Sequence, residues 1–305
     1  MQRYVLKRIG QGILVVFVVS IIIFMLARLS GDPAVLMAPI EAKPEDIERI
    51  REILGLNEPL YVQYGRFALS ALKGEFGISM RLNRPAMEVW LERIPNTLML
   101  GAGALLFAFT VGIGIGLVSA IKMGTWFDNF GKVFALLGQS IPSFWLALML
   151  MLLFAVQLRW LPTSGTGDWR NVIMPSFSLG WIFCAAQCRI SRSSMLDVLD
   201  SEYVKMARIK GVPEFWVMMK HALKNASLPI ITLMAMNMIT LVNGTVVIET
   251  IFNWPGIGRL VIDSIYSRDY TMVQTCVFIA SVFFVTMNIL IDIIYAYVDP
   301  RIRFQ

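Results

Sequence analysis

Cys184 and Cys188 stand four residues apart, a spacing that puts two thiols on one face of a helix, where they could hold a soft metal. The third thiol, Cys276, lies in another apolar run, and the only histidine, His221, falls in a polar stretch well away in sequence. Three thiols and a distant imidazole make neither a metal-ligand spacing nor a disulfide framework, so the cysteines read as small apolar packing residues. Phosphate chemistry lacks its usual parts: there is no Gly-x-x-x-x-Gly-Lys-Ser/Thr loop, hence no usual cradle for ATP. Gly112, Gly114 and Gly116, after Gly101 and Gly103, have apolar surroundings and no preceding strand, so they serve close helix packing and not a nucleotide. No His/Glu/Asp metal spacing and no nucleophile–base pair supports an enzyme. The expectation is a chain with no catalytic residues and no metal or cofactor of its own.

The elements that must hold these residues are set by composition. Of 305 residues, 57% are hydrophobic and 16% charged, where a soluble domain carries about 25% charged. The apolar residues gather in runs near 9–29, 96–121, 132–157, 172–190, 229–250 and 271–298. A span needs roughly 20 apolar residues, and in lipid such a run must be helical to satisfy its own backbone. The prediction is an all-α integral membrane protein of six transmembrane helices. The first run is longer than a signal peptide's apolar region and no Ala-x-Ala site follows, so it is expected to be retained as a span.

The net charge of +6 lies in short segments between runs, a placement that argues against nucleic acid as partner. Basic residues crowd the N-terminus (Arg3, Lys7, Arg8), the loop with Lys122 and Lys132, the segment from Arg189 to Lys224 and the end (Arg301, Arg303). Six spans put all four on one side, so both termini are expected in the cytoplasm. Residues 30–95 then lie outside, 191–228 form a cytoplasmic loop, and 299–305 a cytoplasmic tail. The outer segment has its own signals. Pro44-Glu45-Asp46 starts a helix, Ile47, Ile50, Ile53 and Leu54 form a stripe, Gly55 ends it, and Leu60–Leu72 is a second amphipathic piece. This is either a lid on the membrane surface or a docking surface for a soluble partner.

In the cytoplasmic loop, Ser201 to Lys210 reads as a helix, Gly211 breaks it, and Pro213-Glu214 starts another running towards Lys224. Tyr203, Met206, Phe215, Trp216 and Met219 stand there among basic residues. Large apolar side chains on such a loop point to a protein interface. In the fifth run, Asn237, Thr240, Asn243 and Gly244 are candidates to line a polar pathway, with hydrogen bonding between helices as the alternative. Pro142 predicts a kink in the third run. Few ionisable groups lie inside the runs, and Arg28 and Asp292 lie near their ends, which argues against an ion-coupled secondary carrier.

The segment Tyr203-Val204-Lys205-Met206-Ala207-Arg208-Ile209-Lys210-Gly211, with Leu228-Pro229 downstream, resembles the coupling loop of ABC-importer membrane subunits. It has the form found in the dipeptide/oligopeptide/nickel branch: Lys205-Met206 replaces the general Glu-Ala, and Leu-Pro comes later than usual. Gly31-Asp32-Pro33, Leu54-Gly55-Leu56, Pro59-Leu60, Gln63-Tyr64, Gly74-Glu75-Phe76-Gly77, Pro95-Asn96-Thr97-Leu98, Phe252 to Gly258 and Asp299-Pro300-Arg301-Ile302-Arg303 resemble the same branch in order and spacing. The resemblance implies a type I permease that pairs with a second membrane subunit, a paralogue. Two ATPase subunits that carry ATP and Mg would sit below it, and a periplasmic binding protein would dock above it, in a bacterial inner membrane. It implies that Tyr203, Met206, Ala207, Arg208, Lys210, Gly211, Phe215 and Trp216 form the ATPase-coupling loop, the helix that contains Ala207 and Gly211 sitting in a cleft of one ATPase. It also implies that Phe252, Trp254, Pro255 and Gly256 form an outer gate or a binding-protein contact, an interfacial aromatic anchor being the alternative. The implied cargo is a small peptide, or, in the same architecture, nickel or another chelated metal.

Overall fold

Hydrocarbon leaves a backbone amide no partner but its own chain, and the computed structural model is helical accordingly. Among the described residues there is no strand, only a bridge between Ile78 and Pro85. The described residues are 2–29, 31–32, 34–35, 43–53 and 55–298, with the side chains of 2–4, 239, 241–244 and 294–298 excepted. Pro33, Leu54 and the terminal Asp299–Arg303 motif lie outside them, and Asn243 and Gly244 lie outside the described side chains. The helices are α1 (Gln2–Leu29), α2 (Pro44–Ile53), α3 (Leu60–Lys73), α4 (Ala86–Phe107), α5 (Ile113–Ile121), α6 (Trp126–Ser140), α7 (Ser143–Leu150), α8 (Arg170–Leu199), α9 (Glu202–Ile209), α10 (Glu214–Trp216), α11 (Lys224–Ile251), α12 (Ile257–Tyr266) and α13 (Tyr270–Val298). Three π-helical segments continue them: Ala108–Gly112 joins α4 to α5, Met151–Gln157 extends α7, and Val217–Leu223 joins α10 to α11.

Among the described residues, four stretches are long and apolar enough to cross a membrane: Val5–Leu29, Ala86–Ile121, Arg170–Leu199 and Tyr270–Ile293. Trp126–Ser140 and Ser143–Gln157 make a fifth if taken together, but they meet at 101°. The expected kink in run 132–157 is therefore a break. The residue before a proline is pushed out of the α region, and Ile141 is extended (φ −90°, ψ 117°). The run 229–250 lies within α11, which is helical throughout. Other expected boundaries move. The second span starts at Ala86, inside the expected outer segment, and α8 runs on to Leu199, so residues 191–199 are helix and not loop. Arg192, Ser193, Ser194 and Asp197 end the apolar run without breaking the helix, since no Gly or Pro stands there. The loop expected over 191–228 shrinks to the stretch around α9.

The chain forms two units, 1–95 with 256–305, and 96–255. In the first, α1 lies along α13, where Gly12 leaves no room for a side chain beside Val285 and Ile289. Arg8 pairs with Asp292 at 3.2 Å. The amphipathic α3 sits on α1 through Tyr64, whose hydroxyl shares a 2.8 Å hydrogen bond with Ser20 and whose ring meets Phe24. The buried Asp269 takes hydrogen bonds from the Ser79 hydroxyl and the N–H groups of Arg81 and Met272, which pins the 77–86 turn to the start of α13.

In the second unit, α8 is the axis. A Cβ at Gly112 would lie 2.5 Å from the Cys184 carbonyl oxygen, one at Gly116 2.4 Å from that of Cys188, and one at Gly180 2.5 Å from that of Ala104. Backbones this close are how helices associate in lipid, where no hydrophobic drive separates one apolar surface from another. The packing reading of Gly112 and Gly116 holds, while Gly114 faces open space. Below this seam, Asp128 is 1% exposed. It takes hydrogen bonds from Ser119 Oγ (2.9 Å) and the Gly124 N–H (3.1 Å), and pairs with Arg192 Nε (2.7 Å) and Lys132 Nζ (2.8 Å). It thus ties the α5–α6 loop to the lower part of α8.

Two outcomes follow. Gly116→Val should lower the stability of the purified complex by about 1–3 kcal/mol by prising the helices apart, while Gly114→Val leaves it near wild type; thermal unfolding in detergent separates them. Asp128→Asn takes the counter-charge from the part-buried Arg192 guanidinium and should cost about 2 kcal/mol, less than breaking a fully buried pair. Lys132→Ala, whose ammonium is half exposed, should cost under about 1 kcal/mol in the same assay.

Candidate functional site

The segment between α8 and α11 folds as a small helical module. Val204, Ala207 and Val217 are buried against Val198, Leu199 and Val212. A second cluster of Ala120, Met195, Ala222 and Ala226 seats the base of α8 on α5 and on the start of α11. Gly211 ends α9 in the left-handed region (φ 73°). Its N–H bonds the Arg208 carbonyl (3.0 Å) and that of Val212 bonds Ala207 (3.2 Å), the two bonds of a Schellman turn. Arg208 reaches Glu214 through two hydrogen bonds, 2.8 and 3.2 Å, and closes the hinge between α9 and α10.

With that interior filled, the outer face is left apolar: Tyr203 is 45% exposed, Met206 52%, Phe215 65% and Trp216 54%. Lys205, Arg208 and Lys210 surround them, all exposed. Ile209, 78% exposed, belongs to the same face and was missed by sequence reasoning, although it stands three residues after Met206. Ala207 is 7% exposed and turned into the module's own core, so it supports this face from behind. Gly211 is exposed at the hinge.

Of the expected pathway residues, Asn237 and Thr240 have described side chains. Asn237 is turned inside, 6% exposed, with Nδ2 unpartnered among the described residues. Thr240 is exposed, and its hydroxyl donates to the Met236 carbonyl at 2.9 Å. Gln187 is fully buried on α8. Its Nε2 donates to the Ile230 carbonyl of α11 at 3.2 Å, and its Oε1 has no partner among the described residues. An amide in the middle of an apolar run was the available signal. Phe252 and Trp254 are buried, at 2% and 1%, in the core around Leu100, Ala104 and Ile248 and not on a surface. Trp254 Nε1 donates to the Asn96 carbonyl (3.0 Å), Asn96 Nδ2 to the Pro255 carbonyl (3.0 Å), and Thr97 Oγ1 to the buried Glu249 (2.8 Å). The Pro95-Asn96-Thr97 and Trp254-Pro255 motifs are therefore two halves of one knot. Gly256 stands as the extended residue before α12. Cys184 and Cys188 are both buried in the helix seam, and Cys188 Sγ lies 3.8 Å from the Gly131 carbonyl oxygen.

Comparison with known proteins agrees with this architecture. Residues 112–304 match the family described as binding-protein-dependent transport system inner membrane component, and residues 1–101 match the N-terminal family of the same membrane components. The glutathione transport system permease protein GsiC of Salmonella paratyphi A is 40% identical over 306 residues, covering 100% of both chains. Its counterpart from Escherichia coli (strain K12) is 39% identical over the same extent. A membrane chain in an inward-facing structure of the MetNI methionine ABC transporter has the same fold, with a TM-score of 0.57 at 16% identity, covering 70% of this chain and 97% of that one. With its full length matched in this way, the chain belongs to the inner-membrane permease components of binding-protein-dependent ABC importers, transport subunits and not enzymes.

Proposed function

We propose that the chain forms half of the translocation pathway for a small peptide of the glutathione kind, with the outer face of α9 and α10 receiving an ATPase subunit. The observation that carries this reading is the exposed apolar set Tyr203, Met206, Ile209, Phe215 and Trp216, interspersed with exposed ion pairs such as Arg208–Glu214 and backed by a filled core. Such a face is stable in water only when covered, and its aromatic residues are of the types that dominate interface energies. A push on it would travel into α8 through Val198 and Leu199, and on to the α5–α6 loop through Arg192 and Asp128. The partners in this reading are a second permease subunit, two ATPases that hold ATP and Mg, and a periplasmic binding protein. Six spans with both termini in the cytoplasm put all the basic loops on the ATPase side. The cargo reading is supported by relatives named for glutathione transport. Nickel as cargo is not favoured, since the paired cysteines are spent on helix packing.

Uptake into liposomes holding the whole complex tests the cargo. ATP-dependent entry of labelled glutathione or tripeptides, unchanged by nickel, is expected; entry of nickel alone would overturn it. Trp216→Glu tests the docking face. Removing an aromatic anchor of this kind weakens docking by about 2 kcal/mol, so uptake should fall at least tenfold while the permease still inserts. Wild-type uptake by that variant would remove the interface from this face.

A further inference from the structure

Several segments that neither the docking face nor the pathway uses, Gly31-Asp32, Leu56, Leu60 and Gln63, converge on one cavity of about 260 Å³. Arg28 at the end of α1 and Arg51 on α2 complete its lining. Asp32 accepts from the Ala34 N–H at 2.9 Å and from the Arg51 guanidinium, which also reaches Glu48. These contacts hold both charges at the rim.

Two polar atoms of side chains that line this space are buried with no partner among the described residues. Gln63 is 8% exposed; its Nε2 donates to the carbonyls of Leu56 (2.9 Å) and Glu58 (2.7 Å), which fixes the side chain, yet its Oε1 is buried without a partner. Arg28 Nε is likewise buried and unpartnered, although its guanidinium lies over the Phe24 ring at 5.2 Å. Buried polar groups in native proteins are nearly always bonded, so an orphan donor and an orphan acceptor on one cavity call for a ligand that supplies both complements. The needed chemistry is an anion for Arg28 and an N–H donor of positive charge for Gln63 Oε1 beside Asp32.

The position says where such a ligand comes from. Arg28 stands one residue from the end of a helix that is apolar from Val5 to Leu29. Met25, Leu26 and Leu29 next to it, and Leu60 and Tyr61 on α3, are exposed. A charged residue at the end of a span, flanked by exposed apolar and aromatic side chains, lies at headgroup depth.

We propose that this cavity binds the headgroup of an ethanolamine phospholipid. The phosphate accepts the Arg28 Nε–H, the primary ammonium donates to Gln63 Oε1 and faces Asp32, and the acyl chains lie along the exposed residues of α1. A choline headgroup carries the same charges but has no N–H to give, and a glycerol headgroup has no cation. A free zwitterion such as a peptide carries both charges but no chains. The lipid therefore anchors α2 and α3 to the outer end of α1.

The test is native mass spectrometry of the delipidated whole complex, titrated with ethanolamine, choline and glycerol phospholipids of identical chains, and with a free dipeptide as competitor. The expected result is about tenfold tighter retention of the ethanolamine lipid than of either other lipid, no displacement by dipeptide, and loss of the preference in Arg28→Gln. Equal retention of ethanolamine and choline lipids would overturn the proposal, as would equal retention of the glycerol lipid, which makes the site one for anions alone. Displacement by dipeptide would make it a site for a soluble zwitterion and overturn the lipid assignment. The three-lipid comparison uses the unaltered chain, so it decides even if Arg28→Gln fails to assemble.

Discussion

The close approach of α5 and α8 is the constraint from which the second unit is built. Helices in lipid gain nothing from hiding one apolar surface against another, so they associate where backbones touch. Gly112 and Gly116 bring α5 within direct contact of the Cys184 and Cys188 carbonyls. Gly180 does the same for α8 against α4. With α8 held along this seam, Gln187 meets α11 at Ile230, and Arg192 meets Asp128 below. A larger residue at either seam glycine would displace every one of these contacts at once.

The lower end of α8 joins the helix seam to the small module of α9 and α10. The Asp128–Arg192 pair is buried on the acid side and has satisfied oxygens, the condition under which such a pair holds geometry firmly. A few residues on, Met195, Val198 and Leu199 enter the two small cores that carry α9 and the start of α11. A module with a filled interior and a helix that runs into it without a break can move as one piece. That is the property a coupling element needs if motion on one side of the membrane is to change the pathway inside it.

The sequence made the helical class, the long apolar α1, the amphipathic α2 and α3 and the Gly211 hinge legible, because each rests on a local signal: apolar length, amphipathic stripe, or a glycine that takes the left-handed turn. Helix ends were less legible. Apolar content marks where lipid ends and not where hydrogen bonding ends, so α8 outran its expected limit and α4 began early. The proline in run 132–157 was visible, but the size of its effect depends on what the flanking helices pack against, which no local pattern states. The inward turn of Ala207 and the knot of Asn96, Glu249 and Trp254 were hidden for a similar reason. A motif shows that residues matter, while contacts between positions some 150 residues apart in sequence decide whether they face a partner or the core.

Photo-crosslinking from Trp216 and from Tyr61 puts the central claim to its most direct test. A photoreactive amino acid in place of Trp216, on the outer face, is predicted to give an adduct with the ATPase subunit in membranes holding the whole complex, and one in place of Tyr61 on α3 is predicted to give none. An adduct absent at Trp216, or equally strong at Tyr61, would contradict the assignment of the α9–α10 face as the point where ATP hydrolysis meets the permease.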